Sequence, residues 1–203
     1  RGGRGLNADI SRRPGSRLTV MGVDPGLTRC GVGIVRGGVG TPLELLGVGV
    51  IRTPSDLDHG ARLLRIHDGL EEWFDAHRPD AMAVERVFAQ HNRSTVTGTA
   101  QAMGLTQMIG ARHGVTVGVH TPSEVKAAIS GSGRADKAQV GLMVARVLHL
   151  EKPPTPADAA DALALAITHI WRGGTQSRIE AAMAAHQHSP ARTWRQRSTP
   201  RTW

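Results

Sequence analysis

The chain has 203 residues, 39% of them hydrophobic, and a formal net charge of +8. That length and apolar content suffice for one ordinary domain with flanking tails, while a lone cysteine, Cys30, excludes an intrachain disulfide framework and a thiolate metal site. No run approaches the roughly 18 apolar residues of a membrane span and no hydrophobic signal region precedes the fold, so a soluble, cytoplasmic protein is expected.

The basic charge lies at the ends. Residues 1–18 hold five Arg against one Asp and residues 171–203 hold six Arg against one Glu, which leaves 14 basic and 15 acidic residues between them. Residues 1–17 therefore read as a disordered basic tail or an expression remnant, 18–172 as the folded domain, and 173–203 as a second disordered basic tail. Such ends suit a polyanion, but the domain between them is nearly neutral.

Three apolar runs open the domain, Leu18–Val23, Gly31–Val35 and Leu46–Ile51, separated by Gly and Pro turn signals that predict an antiparallel meander. Between Leu57 and His77 the positions Leu63, Leu64, Ile66, Leu70, Trp73 and Phe74 recur at helical spacing, and Pro79 ends the pattern before the strand Ala81–Val84. A polar stretch, Arg86–Arg93, leads to a Gly, Ala and Thr-rich helix ending near His113, then a short strand, Val115–Val119. Thr121-Pro122-Ser123-Glu124 has the form of a capping box and starts a short helix ending at Ile129. Gly131 and Gly133 break it; a helix from about Asp136 to Leu150 follows, and prolines separate that from a last helix, Pro156–Trp171. The alternation predicts an α/β fold with a five-stranded mixed sheet flanked by helices, parallel at its second end.

Four carboxylates stand out on this frame. Asp24 and Glu85 each close an apolar strand, where parallel strand ends can meet, and Asp158 and Asp161, three apart, share one face of the last helix. Acids crowded at the rim of an apolar core repel one another unless a divalent cation neutralises them, and hard oxygen donors of this kind suit Mg²⁺ or Mn²⁺.

Three motifs in this order, V-D-P-G at Val23–Gly26, V-E-R-V-F at Val84–Phe88 and D-A-A-D-A-L-A at Asp158–Ala164, resemble those of the RuvC-type Holliday junction resolvases, crossover junction endodeoxyribonucleases of the ribonuclease H-like superfamily. The resemblance covers about 18–170 and implies a ribonuclease H-like three-layer fold, with Asp24, Glu85, Asp158 and Asp161 as catalytic metal ligands. It also implies two Mg²⁺ ions per site, with Mn²⁺ as a substitute, and a homodimer that nicks two strands of like polarity in a four-way DNA junction. A RuvA–RuvB branch-migration complex is the implied partner. At positions matching functional ones in the family stand Phe88, an aromatic wedge for a junction base, and the basic residues Lys126 and Lys137; Arg134 lies between these lysines and is read as a further DNA contact.

Each residue also has an ordinary reading. Asp24-Pro25-Gly26 is good turn chemistry, Asp158 near a helix start is favoured by the helix dipole, Phe88 can fold onto the core, and the lysines can be a solvated face. None of these explains Asp161 one turn after Asp158 together with Glu85 at a strand end. The competing functions are a ribonuclease H-like nuclease acting on RNA or an RNA–DNA hybrid and a non-catalytic junction-binding scaffold. The ten histidines show no zinc spacing and read as structural or exposed.

Overall fold

The computed structural model describes residues 17–87 and 93–187. Five strands, β1 (Leu18–Asp24), β2 (Arg29–Gly37), β3 (Glu44–Arg52), β4 (Ala81–Glu85) and β5 (Thr116–His120), form one sheet in the order β3-β2-β1-β4-β5. β1 and β3 pair antiparallel with β2, whereas β4 pairs parallel with both β1 and β5, so the sheet is mixed as expected. β2 is longer than its apolar run because Arg29 and Gly37 lie on the ladder although they are not core-forming residues.

Alternation along β1 sends Met21 and Val23 to one face and Val20, Gly22 and Asp24 to the other. The first face is covered by α1 (His59–His77) and α2 (Arg93–His113), with Ile66, Leu70, Phe74 and Ile109 buried against Val23, Ile34 and Met82. Each such side chain contributes about 1.5–3 kcal/mol by leaving water. Asp58 caps α1, its side chain accepting from the Ala61 N–H, which is why the helix begins two residues after the expected Leu57. The second face carries α3 (Pro122–Ser130), α4 (Lys137–Val147) and α5 (Ala157–Gln187), packed through Val125, Ile129, Val144, Leu163 and Ile167. Thr121 and Glu124 form the expected capping box on α3, and Asp136 with Gln139 forms another on α4.

α5 continues to Gln187, past the expected end at Trp171, so the boundary set between 172 and 173 falls inside a helix. Its apolar periodicity does fade there, but the alanines that follow have high intrinsic helix propensity. Among the described residues, no helix is long and apolar enough to cross a membrane.

Candidate active site

β1 and β4 are adjacent parallel strands in which Val23 pairs with Val84, so the next residues, Asp24 and Glu85, end side by side. Both belong to the face covered by α5, since Gly22 on β1 and Ala83 on β4 share their alternation. α5 brings Asp158 and Asp161 to the same rim in its first turns. Two glycines make that approach possible. A Cβ on Gly22 would stand 2.0 Å from the Ala162 carbonyl oxygen, and one on Gly31, which pairs with Asp24, would stand 2.1 Å from that of Asp158. The helix lies on bare backbone at these points, which sets the height of its acids above the strand ends.

The acids are near enough to act on one another's charge. Burial, then the charges of Asp161 and Glu85, push the Asp24 carboxyl up to about 8, with Lys137 acting in the opposite direction. Glu85 is raised by burial and by Asp161, against Lys137 and Lys126. The Lys137 ammonium, at the first position of α4, donates to Asp161 Oδ2 at 2.8 Å and is held charged chiefly by that bond. Arg29 Nε lies 3.0 Å from Asp158 Oδ2, yet this buried oxygen accepts no hydrogen bond. As placed, no group of three or more His, Cys, Asp or Glu among the described residues is drawn together closely enough to hold a metal ion. Two of the acids instead carry cationic side chains.

The loop after Asp24 is fixed from behind. Buried Thr53 donates through Oγ1 to the Leu27 carbonyl at 2.6 Å and through its backbone N–H to the Thr28 carbonyl at 3.1 Å. Arg62 on α1 then donates to Thr53 Oγ1 at 2.9 Å and Thr28 Oγ1 at 2.8 Å. Neither this clamp nor the Arg29–Asp158 pair was read from the sequence; no local pattern marks contacts across so many residues.

Lys126, half-buried on α3, is near enough to Glu85 to affect it, whereas Arg134 is exposed in the turn before α4 and has no ion-pair partner among the described residues. Phe88 lies outside the described residues, as do His91 and Asn92.

One strand beyond Glu85 on the same face is His120, its direct partner in β5. His120 Nε2 meets His169 Nδ1 of α5 at 3.1 Å, and burial lowers both rings, His169 to about 4. Because the folded state keeps these rings neutral, their contribution to stability is full above about pH 6.5 and is lost as pH falls from there toward 4. Thermal melts should therefore show His169→Gln flattening the loss of Tm between pH 6.5 and 4.5; an unchanged slope would remove the pair from that transition.

A mixed sheet in this strand order, with acids from two adjoining strand ends and a covering helix on one face, places the chain in the ribonuclease H-like class of α/β proteins. The family model described as crossover junction endodeoxyribonuclease RuvC matches residues 20–169, and the chain belongs to that family. It is 70% identical over 191 residues to the crossover junction endodeoxyribonuclease RuvC of Cutibacterium acnes, covering 94% of each chain. The RuvC of Streptomyces avermitilis is 62% identical over 169 residues, 83% of this chain and 96% of that one. Among solved structures, the Thermus thermophilus RuvC in complex with a Holliday junction substrate superposes with a TM-score of 0.74 at 34% identity, covering 79% of this chain and 97% of that one.

Proposed function

We propose that this chain resolves Holliday junctions: it is an endodeoxyribonuclease, a hydrolase of phosphodiester bonds, that nicks two strands of like polarity symmetrically in four-way DNA and leaves 5′-phosphate and 3′-hydroxyl ends. The observation that carries the reading is the meeting of Asp24, Glu85, Asp158 and Asp161 at one rim, in a chain 70% identical to a crossover junction endodeoxyribonuclease. Paired nicks need two such rims, so the working unit is a homodimer, and a RuvA–RuvB branch-migration complex is its implied partner.

The donor set fits Mg²⁺, with Mn²⁺ as a substitute and two ions per site: every donor is a hard carboxylate oxygen, Asp158 Oδ2 is buried and accepts no hydrogen bond, and burial together with the neighbouring carboxylates holds the Asp24 carboxyl well above its usual range. Asp24, Glu85, Asp158 and Asp161 are the residues that would hold the ions, Asp24 from the central strand of the sheet. Bound cations of this kind supply an activated water and stabilise the departing 3′ oxygen. The protein's own part is to position and discharge. With the site loaded, Asp24 would have lost its carboxyl proton to solvent, and Arg29 and Lys137 would leave Asp158 and Asp161 and turn their charges to the phosphate. Lys126 and Arg134 add DNA contacts along the α3–α4 side.

Metal affinity should then depend on pH. Below about 8 Asp24 is protonated in the free protein, and that proton competes with the cation. Mn²⁺ titrated calorimetrically should bind more tightly as pH rises from 6 to 8 and release protons, seen by comparing buffers of different ionisation enthalpy; a pH-independent affinity would remove Asp24 from the ligand set. Phe88, as a stacking wedge worth about 1–3 kcal/mol per base, predicts that Phe88→Ala impairs cleavage while leaving Tm unchanged. Equal losses of activity and Tm would mark it as a core residue instead. The function itself is tested by incubating the chain with a labelled synthetic four-way junction: paired nicks at symmetric positions in Mg²⁺ and none in EDTA support it, and intact junction in both refutes it.

A further inference from the structure

Arg17, Arg78, Arg112 and Arg172 each stand within ion-pair distance of a carboxylate. Arg52, Arg62 and Arg65 have no carboxylate partner among the described residues, and they are gathered in one place. Arg52, the last residue of β3, lies directly opposite Arg29 in the β2 ladder. Arg65 on α1 donates through Nε to the Arg52 carbonyl oxygen at 2.9 Å, and Arg62 reaches Thr28, the neighbour of Arg29.

Like charges set opposite one another across a ladder destabilise it; Arg29 is offset by Asp158, which leaves Arg52 and Arg65 without a counter-charge. The other nearby acids do not serve these two. Asp58 is engaged in capping α1 and Asp68 with His67, while Glu72 lines the same groove as Arg52 and Arg65 without pairing to either. Arg52 and Arg65 are exposed, and the Arg52 guanidinium has no hydrogen-bond partner among the described residues.

The cluster adjoins the acids through Arg29, whose Nε is 3.0 Å from Asp158 Oδ2. Arg52 is one strand further out, about 4.8 Å. Successive phosphates of one DNA strand advance by about 3.4 Å along the helix axis, so a strand cut at the acids would carry further phosphates past this end of β2 and β3.

We propose that Arg52 and Arg65 form a phosphate-binding track for the double-stranded arm leaving the cut site, with Arg29 linking the track to the acids. The track rests on the junction-cutting reading above. Arg62, held by Thr53 and Thr28, positions the loop after Asp24 and is left intact in the test.

The test measures binding of a fluorescent four-way junction by anisotropy across a salt series, in the Asp24→Asn chain so that no cutting intrudes. Adding Arg52→Ala and Arg65→Ala should weaken binding to junctions of any sequence. It should also make the slope of log K against log salt shallower by about 2, since each phosphate contact contributes roughly 0.9. The Arg52→Lys, Arg65→Lys chain should keep the parent slope, which separates lost charge from a disturbed fold. Affinity and slope unchanged by the alanine pair overturn the track and leave the patch for an acidic protein surface. Failure of the Asp24→Asn chain to bind any junction overturns the junction-cutting reading itself, and the track with it.

Discussion

Asp24→Asn should bind a four-way junction about as well as the native chain, fail to cut it, and melt at a higher temperature in the absence of metal. The amide keeps the size of the side chain but loses the charge that must hold a cation. The loss of rate should reach at least the order of 10²–10³-fold found when a single charge-stabilising group is removed. The gain in stability follows from the same burial. Asp24 is raised from 3.8 to about 8, so between those values the folded state holds a proton that the unfolded chain releases, and stability falls as pH rises through that window. At about 1.4 kcal/mol per unit, the upper bound at pH 7 is on the order of 4 kcal/mol, and an amide escapes this penalty. Melts at pH 5 and pH 7.5 check the sign: the variant's advantage should grow with pH. Retained cleavage by Asp24→Asn would remove the residue from the active site.

Gly31→Ala should be nearly as damaging, although it changes no charge and touches no substrate. Its methyl would fall 2.1 Å from the Asp158 carbonyl oxygen, backbone that cannot rotate away, so the first turn of α5 must lift. Overpacking of this kind costs about 1–3 kcal/mol. The larger effect should be on rate, because displacement of a catalytic group by about 1 Å can cost 10²-fold. Measuring Tm and cleavage together separates the two: a modest drop in Tm with a disproportionate loss of cutting is expected, and native rates with a methyl in place would show that the seat does not set the height of the acids. Gly22→Ala, beneath Ala162 in the second turn, should lower Tm in the same way.

The two predictions mark where the sequence was legible. Asp24 and Glu85 were visible because each ends a run of buried residues, and Asp158 with Asp161 because a spacing of three puts both on one helical face. The mixed sheet was likewise visible in the order of its runs, three separated by turns and then two joined by helices. Gly31 was not, since inside a strand a glycine reads as a weak position, and only the pressing of α5 against it reveals a close approach. Arg29 lies 129 residues from Asp158 in the chain, and no local periodicity joins them. The expected end of α5 at Trp171 falls short of Gln187 because apolar periodicity reports packing against a core, whereas helix propensity does not depend on one.

The most direct test of the account is a side-by-side digestion of three labelled substrates of matched sequence, a four-way junction, a linear duplex and an RNA–DNA hybrid, each with and without Mg²⁺. The account predicts symmetric, metal-dependent nicks in the junction alone. Cutting of the hybrid in its place, or tight junction binding with no cutting across several junction sequences, would contradict it.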